Sequence, residues 1–167
     1  MRINGEQCQR FLRKVRSVLW TLKGKRLGVL GLSFKGGTDD VRESPAISII
    51  ELLLAKDCEV QAYDQAATER AREVLPESGI TYVHTAYEAA KGADALLVLT
   101  EWEEFKWLDL KRVRSLLRYP IIIDGRNLFS PEHMLKQDFI YLSMGRPDVL
   151  PSDKNLCATA VAAETGI

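Results

Sequence analysis

Apolar residues recur over the first two dozen positions with helical spacing. Cys8, Phe11, Leu12, Val15, Val18, Leu19 and Leu22 follow one another at steps of three, one, three, three, one and three, while Arg10, Arg13, Lys14 and Arg16 fall mostly on the other side. Residues 5–22 are therefore expected to form one amphipathic helix, stopped by Gly24. Its apolar face needs cover, either from this chain or from another molecule. From Lys25 the pattern changes to short apolar runs alternating with helical ones. Residues 26–31, 59–64, 81–83, 94–100 and 120–124 read as strands, and residues 139–142 as a further edge strand. The runs 94–100 and 120–124 are almost continuously apolar, which suits strands buried on both faces. Between them, residues 44–55, 66–75, 86–91, 108–117 and 131–136 read as helices. Ser44-Pro45 marks one start clearly, because serine suits the N-cap and proline the first helical position.

Strands separated by helices, without adjacent hairpins, imply parallel pairing through right-handed crossovers. The expected fold is α/β: a Rossmann-like, doubly wound, mostly parallel sheet of about five to six strands, with helices on both faces and one amphipathic helix in front. The expected organisation is a leading helix at 1–23, the nucleotide-binding domain at 24–146 and a flexible tail at 147–167, where composition turns to Ala, Thr and Ser.

A chain of 167 residues suits one such domain. With 23 basic and 23 acidic residues the formal charge is zero, so bulk electrostatics favour neither nucleic acid nor membrane as a partner. No apolar run is long enough to span a bilayer, and Met1 is followed by polar residues, so neither insertion nor export is expected. Cys8, Cys58 and Cys157 are far apart, without CxxC or a His pair. They suit reduced thiols in a cytoplasm, and no metal site is expected.

In a sheet of this kind ligands lie beyond the carboxyl ends of the strands. Three loops there carry candidate chemistry. The first, 31–44, lacks a tight GxGxxG turn, but combines Lys35, Gly36, Gly37 and Arg42 ahead of a helix N-terminus, which can cradle an anion. The competing reading is a solvated loop whose Asp39, Asp40, Arg42 and Glu43 pair among themselves. The second is Tyr63-Asp64, where an acid can hold ribose hydroxyls; without the glycine fingerprint a loop-stabilising or helix-capping role suits Asp64 better. The third is Asp124-Gly125-Arg126-Asn127, whose arginine can present its fork to a diphosphate or pair structurally with an aspartate. Trp102 and Phe105, after the fourth strand, read as core. His84 and His133 lack a nucleophile arrangement around them.

Together, Phe34-Lys35, then Thr38-Asp39-Asp40-Val41-Arg42-Glu43-Ser44-Pro45, Tyr63-Asp64, Thr100-Glu101-Trp102 with Phe105, and Asp124-Gly125-Arg126-Asn127 resemble the C-terminal domain of the UDP-glucose/GDP-mannose dehydrogenase family. The order and spacing match over about residues 24–146. Asn4 and the first helix resemble the end of that family's central dimerisation domain. The resemblance implies that Lys35 contacts a UDP-sugar with Phe34 beside it, that Arg126 reaches its diphosphate, and that Arg42 touches NAD held mainly by a domain not in this chain. Asp40 and Asp124 are implied as structural support. Two of the family's prolines are replaced, by Gly36 after Phe-Lys and by Gln65 after Tyr-Asp.

The family reaction oxidises the C6 alcohol of UDP-glucose twice, to UDP-glucuronate, on a catalytic cysteine with NAD as hydride acceptor. The glycine fingerprint and the family's glycine-rich cysteine segment are not in this sequence, so no catalytic residue is assigned and the chain alone is expected to be inactive. The implied partners are UDP-glucose or a related nucleotide sugar, the remaining dehydrogenase domains, and a second copy through the exposed apolar face of residues 8–22. The alternatives are a stand-alone nucleotide-sugar-binding or regulatory module, and a dimerisation domain.

Overall fold

The computed structural model describes residues 3–151. Its elements run α1 (Ile3–Leu19), β1 (Arg26–Leu30), α2 (Pro45–Ala55), β2 (Glu59–Tyr63), α3 (Thr68–Val74), β3 (Ile80–Tyr82), α4 (Ala86–Ala90), β4 (Ala95–Val98), α5 (Glu103–Lys106), α6 (Leu110–Leu116), β5 (Ile121–Asp124), α7 (Pro131–Lys136) and β6 (Ile140–Ser143). The strands form one six-stranded sheet in the order β3-β2-β1-β4-β5-β6. Every neighbouring pair of these strands is parallel, with Leu27 opposite both Val60 and Ala95, and Ile123 opposite Leu97 and Leu142. The expected doubly wound sheet is therefore present.

The pleat divides the apolar residues between two layers. Leu27, Val29, Ala95, Leu97, Ile121, Ile123, Ile140 and Leu142 face α1, α2 and α3. Leu30, Leu96, Val98, Ile122 and Tyr141 face the layer built by α4, α5, α6 and α7. That two-sided burial explains why β4 and β5 read as continuous apolar runs.

α1 corrects the sequence reading in two ways. It ends at Leu19, with Trp20 in the left-handed region (φ 66°), so Gly24 belongs to a later turn rather than to the helix stop. More importantly, its apolar stripe is not open. Cys8, Phe11, Leu12, Val15, Val18 and Leu19, with Leu22 beyond the helix, are buried against α2 and the sheet. The apolar face expected to receive a second copy is spent inside this domain.

Smaller differences have local causes. α3 begins at Thr68 rather than at residue 66, because the N–H groups of Ala66 and Ala67 donate to Asp64 in a capping turn. The helix expected at 108–117 shortens to α6, capped by Asp109, and the single turn α5 precedes it. α2 starts at Pro45 as expected, but the Ser44 hydroxyl donates to Leu32 O (2.9 Å) instead of capping the helix. Of the expected tail, residues 152–167 lie outside the described residues. Val149 forms an antiparallel bridge with Tyr141, covering the β6 edge.

Candidate functional site

The order of the sheet reverses between β1 and β4, which is where a crevice opens in a doubly wound fold. The loops after β1, β4 and β5 converge there, and a buried aspartate organises the first two. Asp64 is 4% exposed and accepts six hydrogen bonds. Its Oδ2 takes the N–H groups of Leu32 (2.8 Å) and Ser33 (3.1 Å), the Ser33 hydroxyl (3.2 Å) and the Trp102 indole (2.9 Å). Its Oδ1 takes Ala66 N–H and Ala67 N–H, both at 2.8 Å. Asp64 is thus a loop and helix-cap residue, and Trp102 (7% exposed) is core, with its one polar atom committed.

That knot fixes the base of the 31–44 loop, and Thr100 Oγ1 adds a bond to Ser33 O (2.8 Å). Further out, Phe34 N–H donates to Asp40 O (2.7 Å), and the single Ser33 hydroxyl proton is shared between Asp64 Oδ2 and Lys35 O (2.9 Å). Phe34 projects from the loop with 44% of its surface exposed. Lys35 is also exposed and makes no ion pair among the described residues. Gly36 presses so closely on the Glu101 carbonyl that a Cβ there would collide with it. Glycine at this position therefore lets this loop close onto the one after β4.

Arg42 projects into solvent, with its Nε and Nη2 each 3.0 Å from a different Asp40 oxygen. The Arg42 side-chain bonds, followed by its backbone N–H, lower the Asp40 carboxyl to about 2. Asp39 pairs outward with Arg70 (3.4 Å). Part of the self-pairing read as the competing explanation is therefore present, yet it leaves Lys35 untouched. Phe34, Asp40, Arg42 and Glu43 line one depression of about 360 Å³.

The loop after β5 is folded by Asp124, which is fully buried. Its carboxylate accepts the N–H groups of Arg126 (2.9 Å), Leu128 (2.7 Å) and Phe129 (3.1 Å) and the Tyr141 hydroxyl (2.6 Å). Burial and then the Asp124 charge push Tyr141 well above the ordinary phenol range, so it stays a donor. Asp124 thereby positions the main chain of Arg126, while the guanidinium pairs elsewhere: its Nε lies 2.5 Å from Glu101 Oε2. The tip rests on α1, since Gly125 leaves room for the Phe11 ring, which a Cβ would meet at 3.2 Å. Arg126, Phe11, Arg10 and Met144 are among the residues lining a cleft of about 400 Å³.

The structure thus brings Lys35 and Arg126 to adjacent loops through Glu101, and places Phe34 and Arg42 in a neighbouring hollow. Glu101 was not singled out from sequence. The Thr-Glu-Trp run was visible, but its aromatics drew the reading, and a carboxylate's partner on the loop after the next strand has no local signature. Lys35 without an ion pair among the described residues, and the exposed outer nitrogens of two acid-paired arginines, suit an anionic ligand. The arrangement offers no activated nucleophile among the described residues: Cys8 and Cys58 are buried, and burial raises both thiols, Cys58 to about 11. Also among the described residues, no cluster of His, Cys, Asp and Glu is placed to hold a metal, and no helix is long and apolar enough to cross a membrane.

The profile of the UDP-binding domain of the UDP-glucose/GDP-mannose dehydrogenase family matches residues 28–131. The chain is 44% identical over 154 residues to the UDP-glucose 6-dehydrogenase TuaD of Bacillus subtilis (strain 168), covering 90% of this chain and 33% of that protein. It is 44% identical over 132 residues to the UDP-glucose 6-dehydrogenase of Rickettsia felis, covering 78% and 30%. Among solved structures, a UDP-glucose dehydrogenase from Pyrobaculum islandicum superposes with a TM-score of 0.71 at 30% identity, over 84% of this chain and 30% of that one. The chain spans about one third of the length of the relatives it matches. With its sheet, its loops and these relatives in agreement, the chain belongs to the UDP-glucose/GDP-mannose dehydrogenase family and carries the UDP-binding domain of that family.

Proposed function

We propose that this domain holds the diphosphate of a UDP-sugar between Lys35 and Arg126, with Phe34 beside them, for an oxidation performed by groups outside the chain. UDP-glucose, oxidised to UDP-glucuronate, is the substrate that the named activity of the relatives favours. The observation that carries the reading is the juxtaposition of two exposed cationic loops at the switch point, one on each side of Glu101. A lysine contributes a mobile point charge and an arginine a planar fork, a combination suited to two linked phosphates.

NAD is the hydride acceptor of the proposed reaction, and this domain's own sheet does not fit it. The acid that would have to accept ribose hydroxyls, Asp64, is buried and already takes six donors. The 31–44 loop departs from the tight glycine turn that brings a helix N-terminus to a pyrophosphate. Arg42 is the residue we assign to NAD carried elsewhere, because its side chain is 87% exposed. The domain's work is therefore binding and orientation, and its partner is the remainder of such a dehydrogenase.

Calorimetry with UDP, UDP-glucose, GDP-mannose and NAD tests this. UDP and UDP-glucose should bind and NAD should not. Losing a charge-assisted hydrogen bond costs about 1.5–3 kcal/mol, so Lys35→Ala and Arg126→Ala should each weaken UDP by roughly 10- to 100-fold. Unchanged affinity in the double variant, or no UDP binding at millimolar concentration, rules the proposal out.

A further inference from the structure

Glu101 is an acid inside a cationic site, and a carboxylate beside a bound diphosphate ought to repel it. Its surroundings show what offsets that. The segment carrying it is fixed on both sides, by Thr100 Oγ1 to Ser33 O (2.8 Å) and by the Trp102 indole to Asp64 (2.9 Å). Its carbonyl oxygen is packed against Gly36, next to Lys35. Its Oε2 is closed off from solvent and accepts no hydrogen bond, and the Nε of Arg126 stands against it as an ion pair, with no other cation paired to it among the described residues. The side chain of Arg126 remains about 37% exposed, with no other ion pair among the described residues.

An arginine held at Nε by a preformed acid loses most of its torsional freedom while both terminal nitrogens stay available. A free arginine instead gives up about 2 kcal/mol of rotamer entropy when it binds. Resting on the reading that Arg126 meets the diphosphate, we infer that Glu101 is a positioning residue. It holds the Arg126 fork toward the same face as Lys35, and its backbone sets the distance between the two loops. The ligand class is a nucleoside diphosphate, because one cation on each side of a fixed spacer suits two linked phosphates.

Electrostatics and positioning predict opposite signs, which makes the test sharp. If Glu101 were only a nearby negative charge, Glu101→Gln and Glu101→Ala would bind UDP more tightly. As a positioning residue, Glu101→Ala and Glu101→Gln should each weaken UDP by about tenfold, since the contact to Arg126 is an ion pair and neither replacement carries the charge. Calorimetry on the 167-residue chain reads this, with thermal melts confirming that each variant folds. The loss should vanish in an Arg126→Ala background and persist in a Lys35→Ala background, a pattern that general loosening of the domain would not give. The Arg126 guanidinium should be ordered by NMR relaxation in the parent and mobile in Glu101→Ala. Equal or tighter UDP binding by both variants, or a loss that persists without Arg126, overturns the inference and leaves the diphosphate reading standing. A parent chain that does not bind UDP removes both, and the relaxation of the Arg126 guanidinium then reports whether the ion pair itself forms.

Discussion

Replacing Asp64 by asparagine changes one atom and almost no volume, yet it strikes the point where three segments meet. The carboxylate accepts two main-chain N–H groups on Oδ1 and four donors on Oδ2. An amide must turn its NH2 toward one of these sets. The less damaging orientation faces Ala66 N–H and Ala67 N–H, setting the amide's own buried N–H against the buried Ala67 N–H and the part-buried Ala66 N–H. At about 1–3 kcal/mol for each unsatisfied buried group, Asp64→Asn should cost roughly 4 kcal/mol. Against a typical domain stability of about 5–15 kcal/mol this is a large fraction, and the domain should still fold. Urea denaturation followed by circular dichroism measures it: with a slope of about 2 kcal/mol/M, the midpoint should fall by about 2 M at unchanged slope. UDP affinity should fall as well, because Leu32 and Ser33 anchor the Lys35 loop. A midpoint within about 0.5 M of the parent, corresponding to about 1 kcal/mol, would refute the reasoning.

Further outcomes follow from the same geometry. Asp40 is held near 2, below its ordinary 3.8, so the Asp40–Arg42 pair favours the fold above pH about 4 and its contribution disappears as the pH falls through about 2. Arg42→Ala should raise the Asp40 carboxyl toward the ordinary aspartate range in an NMR titration, while the backbone N–H at position 42 still holds it somewhat below that range. Cys8 and Cys58 should resist iodoacetamide at neutral pH in the native chain and react on denaturation, as peptide mapping by mass spectrometry would show. Phe11→Ala empties a site that is 2% exposed and should destabilise by about 3–5 kcal/mol in the same urea experiment, with an additional loss of UDP affinity because Phe11 supports the Gly125–Arg126 tip.

Much of the fold was legible because it rests on local pattern. The continuous apolar runs at 94–100 and 120–124 announced strands buried on both faces, and Ser44-Pro45 placed the start of α2. What remained hidden was long-range. The period of α1 was plain, but nothing in residues 5–22 says that their partners are α2 and a sheet more than a hundred residues long in sequence span. α5 is one turn, too short for any periodicity. In the site, the cationic candidates stood out by residue type, whereas the division of labour among the acids did not. Asp64 locks a loop, Asp124 folds a turn, Asp40 pairs with Arg42, and Glu101 holds Arg126. Those roles depend on which donors the tertiary fold delivers to each carboxylate.

The burial of α1 also bears on how the chain is made. Phe11 lies against Gly125, and the stripe it belongs to covers Ile121, Ile123 and Ile140. None of these exists when α1 leaves the ribosome. Until β5 and β6 follow, an amphipathic segment must wait with its apolar side uncovered, while β1 and β2 pair behind it. Contacts of such sequence separation slow folding and prolong the interval in which greasy surface is available to other chains. Low temperature or chaperone overexpression should therefore raise the yield of folded protein, and strengthening α1 by itself should not.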